Sequence, residues 1–261
     1  MKKDDLNIDN HFKYYDELYE DKDYIGEANF IENLLVEFDR KPDNLLELGS
    51  GTCKLSLILA KRLSNITCVD SSETMFNYAK INLEKQPKDI SSKVKLIKAD
   101  LRDLNLSKKF DLVISLFHVA SYCTSNYSLD SFFNCASKHL KRNSLFIFDY
   151  WYGPAVLHLK PSNRLKEVEL KNHFLKRSCK SYLDSFSSTV EVKYNFEFIS
   201  KKSNEILKTF KENHLMRYLF PNEIDYFAER NGFEVLKHAV WLKKETPTLE
   251  DWNAFSVIKK K

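Results

Sequence analysis

The chain has 261 residues with a net charge of +4, and 43% of its residues are hydrophobic, so it can bury a substantial core as one large domain or as a core with an insertion. The modest charge, the charged start M-K-K-D-D and the lack of a long apolar run argue against a nucleic-acid binder, a signal segment and a membrane span. The five cysteines show no C-x-x-C or zinc spacing, which indicates a reduced, cytoplasmic protein with no metal site.

Strand-like and helix-like patterns alternate through the first 150 residues. The periodicities predict helices over 28–38, 52–63, 72–83 and 129–140, and strands over 45–48, 66–69, 94–97, 110–117 and 144–148. The fourth of these strands is nearly all apolar, as expected of a parallel strand covered on both faces. Five such alternations predict an α/β fold with a doubly wound, mainly parallel sheet whose ligand binds beyond the carboxyl ends of the strands.

The pattern changes after residue 150. Apolar residues alternate with polar ones over 190–198, which predicts a half-buried antiparallel strand that could pair with the stretches 168–178 and 206–218. A helix from Pro221 to Arg230 and strands over 233–241 and 253–258 then follow. We therefore expect a core over 1–150, an antiparallel β insertion after the fifth strand over 151–220, and a return to the core over 221–261.

The inserted part is basic. Residues 151–220 contain 13 Lys or Arg against 7 Asp or Glu. This balance suits an anionic ligand, although scattered lysines more often form an ordinary solvated surface.

Two glycines interrupt the chain where the first predicted strand meets a helix, in L-L-E-L-G-S-G-T-C. Gly49 and Gly51 allow unusual dihedral angles and let a ligand lie against the backbone near exposed helix N–H groups. A G-x-G pair alone is weak evidence, and Cys53 stands near the place where a nucleotide-binding fingerprint has its third glycine. An ordinary strand-to-helix turn would explain the glycines, but not the carboxylate of Glu47 at the end of a buried strand.

Two more carboxylates end the next two predicted strands. Asp70 lies about twenty residues after the glycines, where an acidic side chain can accept hydrogen bonds from ribose hydroxyls. Asp100 ends the third strand. Each alone is equally well explained as a helix cap or turn residue, but their joint occurrence on one edge of the sheet favours a shared ligand.

These motifs, 47–52, 70–75, 99–103 and 110–113, resemble those of class I S-adenosylmethionine (SAM) dependent methyltransferases over about residues 12–150. The resemblance implies a Rossmann-like, seven-stranded, mainly parallel sheet and SAM as the cofactor. It places the glycines under the methionine part of SAM, Asp70 on the ribose and Asp100 on the adenine amino group. The cofactor-binding residues that it implies are Tyr14, Tyr24, Glu47, Gly49, Gly51, Asp70, Ser71, Met75, Asp100, Leu101 and Leu116.

The amino-terminal stretch 11–24 and the stretch 115–122 carry a finer resemblance. The first is similar to the lid of small-molecule members, whose tyrosines close over the cofactor, and Tyr14 is the favoured candidate; packing of a terminal helix explains any one tyrosine equally well. The second, with the β insertion, resembles N-methyltransferases of nucleotide-linked amino sugars. The implied catalytic candidates are Tyr14, His118 and Tyr122, and the implied substrate-binding candidates are Trp151, Tyr152, Arg164, Arg177 and Arg217.

The resemblance therefore predicts a SAM-dependent methyltransferase that N-methylates a nucleotide-linked amino sugar, with alignment and desolvation carrying most of the rate. Two alternatives stay open: an O-methyltransferase with His118 as base, and a protein that binds SAM without catalysis. The missing third glycine and the Asp100 motif weigh against a dehydrogenase. The expected partner is a small molecule rather than nucleic acid or a membrane, and a homodimer is suggested only by analogy with related sheets.

Overall fold

The computed structural model describes residues 14–261, and of Tyr15 only the backbone. The first three residues of the predicted lid, 11–13, lie outside this range. The described residues form two compact units. The larger unit comprises Asp23–Leu159 and Arg217–Lys261, and the smaller unit comprises Lys160–Met216 together with the described residues up to Lys22.

The secondary structure follows the alternation predicted from the periodicities. The helices of residues 14–261 are α1 Tyr15–Leu18, α2 Tyr24–Glu37, α3 Lys54–Leu59, α4 Glu73–Glu84, α5 Lys88–Ser91, α6 Asn126–His139, α7 Gly153–Leu159 and α8 Pro221–Arg230. The strands are β1 Asn44–Leu48, β2 Asn65–Asp70, β3 Val94–Lys98, β4 Phe110–Ser115, β5 Leu140–Trp151, β6 Arg164–Glu169, β7 His173–Asp184, β8 Thr189–Ser200, β9 Ile206–Arg217, β10 Phe233–Val240 and β11 Asn253–Lys260. A short 3-10 turn, Val119–Tyr122, follows β4. Within the described range, even the longest helices fall short of the length and hydropathy that a bilayer span requires.

A seven-stranded sheet forms the centre of the larger unit, in the order β10-β11-β5-β4-β1-β2-β3. The strands β1 to β5 pair in parallel, whereas β11 pairs antiparallel with both β5 and β10. This confirms the predicted doubly wound, mainly parallel sheet. Strand order reverses between β1 and β4, and ligands of such sheets bind at the carboxyl ends beside that reversal.

Apolar side chains cover both faces of this sheet. One buried cluster includes Ile31 and Leu34 of α2, and the other includes Phe132 and Phe133 of α6 with Phe227 of α8. Full burial of such a side chain contributes about 1.5–3 kcal/mol. The two clusters hold the sheet rigidly from both sides, so the loops at its carboxyl edge start from fixed positions.

The smaller unit is built on a four-stranded antiparallel sheet in the order β6-β7-β8-β9, which confirms the predicted antiparallel insertion after the fifth strand. Its core includes Leu175, Phe196 and Phe198, and Leu18 of α1 is buried with them. The sheet unit starts at Lys160 because the segment from residue 151 first completes β5 and then forms α7. The functional roles assigned to 1–150, 151–220 and 221–261 stay predictions.

Candidate active site

The glycine loop after β1 is left-handed at both glycines, with φ +72° at Gly49 and +54° at Gly51. A Cβ at Gly49 would lie 2.4 Å from Cγ2 of Val119, whereas no atom of the described residues lies within 4 Å of a Cβ at Gly51. The missing side chain of Gly49 therefore allows the 3-10 turn after β4 to pack closely against the loop, whereas the backbone of Gly51 faces unfilled space. The loop is tied to β2 because the N–H of Gly49 donates to the carbonyl of Val69 at 2.8 Å.

Cys53 stands at the start of α3 with φ +63°, a conformation that glycine adopts more readily. It is buried, at 1% exposure. Its thiol lies 3.5 Å from the hydroxyl of Ser50 within the same loop. The small thiol thus fits where the sequence departs from a third glycine.

The carboxylate of Glu47 is buried, at 5% exposure, and accepts a hydrogen bond from the hydroxyl of Ser56 in α3. Burial, together with the neighbouring thiol of Cys53 and the charge of Glu47, raises the pKa of Cys68 well above its usual value. Glu47 thus joins β1 to α3 directly beneath the glycine loop. The loop-shaping role that the resemblance implied for Glu47 stays a prediction.

The carboxylate of Asp70 links the glycine loop to the start of α4. Its Oδ2 accepts the N–H of Gly51 and its Oδ1 accepts the N–H of Ser72, each at 2.8 Å. Burial raises the pKa of Asp70, and the two N–H donors oppose that shift. Each carboxylate oxygen keeps further acceptor capacity, which a ribose hydroxyl can use. Beyond it, Ser71 is exposed and Met75 is half-buried.

Asp100 lies beside Asp70 at the same edge, because the N–H of Ala99 donates to the carbonyl of Asp70 at 3.1 Å. Its Oδ1 accepts the backbone N–H of Arg102 at 2.8 Å, and Nε of that guanidinium lies 2.9 and 3.0 Å from the two carboxylate oxygens. Arg102 thereby lowers the pKa of Asp100. Leu101 between them is half-buried against the core.

The turn after β4 carries two successive non-glycine residues in the left-handed region, Phe117 at φ +66° and His118 at +65°. Each such residue costs roughly 1–2 kcal/mol relative to ordinary backbone. The N–H of His118 donates to Oδ1 of Asp149 at 2.8 Å. Its ring Nδ1 lies 3.1 Å from Oδ2 of the same carboxylate, although that nitrogen makes no well-aligned hydrogen bond.

Further candidates surround this turn. Leu116 is buried, and Tyr122 in the 3-10 turn is 52% exposed. The N–H of Trp151 donates to the hydroxyl of Ser121 at 3.2 Å, and the Trp151 ring centre lies 6.0 Å from that of His118. Tyr152 follows directly on β5 and is half-buried.

Arg217 also belongs to the larger unit and is buried, at 9% exposure. Its Nη2 donates to Oδ1 of Asn126 at 2.7 Å and to the carboxylate of Glu223. The guanidinium thus joins the starts of α6 and α8. Tyr24 opens α2 in the same unit, with Nζ of Lys54 at 5.6 Å from its ring centre.

The remaining candidates belong to the smaller unit. Tyr14 lies 5.0 Å from Phe198 between ring centres, and burial raises the pKa of Tyr14. Arg177 donates to the hydroxyl of Tyr19 at 3.0 Å and also faces the ring of Tyr194. Arg164 is exposed on β6. The roles predicted for these side chains stay predictions.

Comparison with known proteins shows what this arrangement resembles. Residues 45–143 match the sequence family described as "Methyltransferase domain". A similar curated protein is the dTDP-3-amino-3,4,6-trideoxy-alpha-D-glucopyranose N,N-dimethyltransferase of Streptomyces venezuelae, 25% identical over 146 residues. That match covers 55% of this chain and 58% of the relative, so the chain spans a little over half of the relative's length.

Two solved structures resemble nearly the whole chain. A SAM-dependent methyltransferase from Clostridium acetobutylicum ATCC 824 has a TM-score of 0.79 at 23% identity, covering 97% of this chain and 99% of that one. The sugar N-methyltransferase KedS8 from Streptoalloteichus sp ATCC 53650 has a TM-score of 0.78 at 17% identity, covering 95% and 93%. At sequence identities this low, the structural similarity shows the fold alone.

Residues 45–143 are therefore similar to a methyltransferase domain, and the described residues have the fold of SAM-dependent methyltransferases, as the motifs predicted. The matched segment 45–143 carries the glycine loop, Asp70, Asp100 and His118.

Proposed function

We propose that this protein transfers a methyl group from SAM to the amine of a small-molecule acceptor, a nucleotide-linked amino sugar. The observation that carries the proposal is the row of groups at the carboxyl edge of the parallel sheet. The open backbone of Gly51, the carboxylate of Asp70 and the carboxylate of Asp100 follow three adjacent strands. SAM has a chain with an amino and a carboxyl group, a ribose and an adenine, which this row fits in order.

The residues of the loop have separate tasks in this proposal. Asp70 accepts hydrogen bonds from the ribose hydroxyls while its two backbone donors hold it in place. Gly51 leaves room for the methionine part, since a side chain there would enter open space that the ligand needs. Asp100 accepts from the adenine amino group. SAM supplies an electrophilic methyl carbon, and the chain's part is to align the acceptor with it and exclude water.

The acceptor class rests on two supports. The relative from Streptomyces venezuelae is named for a dTDP-linked amino sugar, and KedS8 is described as a sugar N-methyltransferase. In addition, residues 151–220 contain 13 Lys or Arg against 7 Asp or Glu, a balance that favours a ligand carrying phosphates. We accordingly keep Trp151, Tyr152, Arg164, Arg177 and Arg217 as proposed acceptor contacts.

One observation favours a second candidate, methyl transfer to a sugar hydroxyl. A hydroxyl is a poor nucleophile at neutral pH and needs a base within hydrogen-bond reach. His118 lies in the turn after β4, beside Trp151 and in contact with a buried carboxylate. An amine acceptor and a hydroxyl acceptor of otherwise equal structure separate the two reactions directly.

The first test is isothermal titration of SAM into the purified protein, beside an Asp70→Ala, Asp100→Ala double variant. We expect binding by the wild type and its loss in the double variant. Asp111→Ala is a matched control, because this carboxylate contacts Asn44 and Lys141 at the other end of β4. A folded wild type that binds no SAM would overturn the proposal.

The second test offers the dTDP-linked 3-amino sugar and its 3-hydroxyl counterpart with SAM, and mass spectrometry then detects the added methyl group. Transfer to the amine supports the first candidate, and transfer to the hydroxyl alone replaces it by the second. Bound SAM with no transfer to either acceptor would favour a protein that binds the cofactor without catalysis.

A further inference from the structure

The turn that presents His118 holds an unusual backbone. Phe117 and His118 are both left-handed, at φ +66° and +65°, and neither is a glycine. Such residues persist only where neighbouring structure holds them in place, and they cluster at functional sites. The side chain that stabilises this turn therefore also affects the position of the His118 ring.

That group is the carboxylate of Asp149, near the end of the adjacent strand β5. Its side chain is only 2% exposed. Oδ1 accepts the backbone N–H of His118 at 2.8 Å, and Oδ2 lies 3.1 Å from ring Nδ1 of the same residue. Among residues 14–261, His118 supplies both contacts that this buried charge makes. A buried carboxylate is stable in a protein only when neighbouring polar groups compensate for its lost hydration. For Asp149, the backbone N–H and the ring of His118 provide these groups.

The second contact favours one of the two tautomers of the His118 ring. Although this contact is not a well-aligned hydrogen bond, a carboxylate oxygen at 3.1 Å repels a lone pair and attracts an N–H, so it favours the tautomer with the proton on Nδ1. The other nitrogen, Nε2, then keeps its lone pair and can accept a proton. Asp149 lies on β5, and His118 lies in the turn that follows the neighbouring strand β4, so the pairing of these two strands brings the two residues together.

We propose that Asp149 is a positioning residue that holds His118 as the proton acceptor for an amine substrate. This rests on the proposed function and deepens it. An alkyl amine resembles the lysine side chain, with a pKa near 10.4, and reaches the protein as an ammonium without a lone pair. Nε2 of His118 takes one proton and releases the nitrogen lone pair for attack on the methyl carbon.

The proton balance is closed. An ammonium and SAM yield the N-methylated ammonium, S-adenosylhomocysteine and one proton: the N–C bond forms as the S–C bond breaks. The imidazolium passes that proton to water, which restores the neutral ring. The carboxylate of Asp149 stabilises the imidazolium across the 3.1 Å contact.

The test uses Asp149→Asn. If the amide oxygen keeps the His118 N–H, the amide NH2 faces Nδ1 and moves the ring proton to Nε2. Long-range ¹H–¹⁵N spectra at alkaline pH distinguish the two tautomers among the seven histidines, and His118→Gln assigns the signal. Asp111→Asn is the matched control, since it removes a carboxylate from the other end of β4.

We expect the Nδ1–H tautomer in the wild type and the control, and the Nε2–H tautomer in Asp149→Asn. With the dTDP-linked amino sugar as acceptor, kcat of Asp149→Asn should fall about 100-fold, as for loss of a general base, while the Kd for SAM stays unchanged. A merely structural role would lower SAM affinity and kcat together and would leave the tautomer as it was.

Several results would overturn the proposal. A wild type with the Nε2–H tautomer does so without any variant, which keeps the test decisive even if Asp149→Asn fails to fold. An unchanged tautomer or an unchanged kcat in Asp149→Asn does so as well. If the wild type binds no SAM but the tautomer switches as expected, the proposed function fails while the positioning of His118 by Asp149 stands.

Discussion

Replacement of Gly49 by alanine tests the close contact between the glycine loop and the 3-10 turn after β4. The new Cβ would lie 2.4 and 2.8 Å from the two γ-methyl groups of Val119. It would also hold an L-residue at φ +72°. Gly51→Ala is a matched control, because it has φ +54° but no described atom within 4 Å of the added carbon.

Both substitutions place an alanine in left-handed backbone, but only Gly49→Ala also creates a steric clash. A left-handed alanine costs roughly 1–2 kcal/mol at either site. Overpacking typically adds about 1–3 kcal/mol, and it applies to Gly49 alone because only that site meets Val119. We therefore expect the free energy of unfolding to fall by about 2–5 kcal/mol in Gly49→Ala and by about 1–2 kcal/mol in Gly51→Ala.

Urea unfolding of both variants measures this difference without any ligand. Val119→Ala removes the two methyl groups, so the double variant Gly49→Ala, Val119→Ala should recover the overpacking term and keep the backbone term. The cycle should give a coupling of about 1–3 kcal/mol, as expected for residues in contact. Equal losses in Gly49→Ala and Gly51→Ala, or an additive double variant, would contradict the contact.

Three further results are expected. Asp70→Asn turns one acceptor into a donor that faces a backbone N–H, so SAM affinity should fall tenfold or more by titration, and Asp111→Asn should leave it unchanged. Burial lowers the pKa of His139, so below about pH 6.5 the unfolded chain binds a proton at this residue that the folded chain does not bind, and the free energy of unfolding decreases as pH falls. Urea unfolding at a series of pH values should show this decrease, and His139→Gln should remove the contribution of this histidine to it. Arg177→Lys loses contacts to two tyrosine rings, so its unfolding free energy should fall by about 0.5–2 kcal/mol, whereas Arg164→Lys on the exposed surface should not change it.

The sheet could be predicted from the sequence because its strands are short apolar runs separated by helical periods. The last helix was predicted with its observed ends, since Pro221 and Gly232 mark both of them. The fifth strand is longer than predicted, Leu140–Trp151 instead of 144–148, because exposed polar residues at 141–143 interrupt its apolar pattern. The predicted helix over 52–63 is shorter, Lys54–Leu59, because the glycine loop takes its start.

The site could be predicted only where it depends on strand ends. Asp70 and Asp100 follow neighbouring parallel strands, so their common edge was a consequence of the fold. The left-handed Phe117 and His118 give no sequence signal, because glycine or asparagine normally marks such backbone. The carboxylate that contacts this turn, Asp149, lies 31 residues further along the chain than His118. No periodic pattern in the sequence predicts a contact between residues so far apart.

The smaller unit is assembled from two distant stretches of the chain. Leu18 of α1 is buried with Leu175 and Phe198 of the antiparallel sheet. The intervening residues fold as part of the larger unit. Because α1 precedes β7 and β8 in the chain, it is synthesised first, and its apolar side stays uncovered until these strands have been made. Deleting residues 14–22 should therefore expose apolar surface on the antiparallel sheet and make the newly made chain prone to aggregation, even though the parallel sheet keeps its own core.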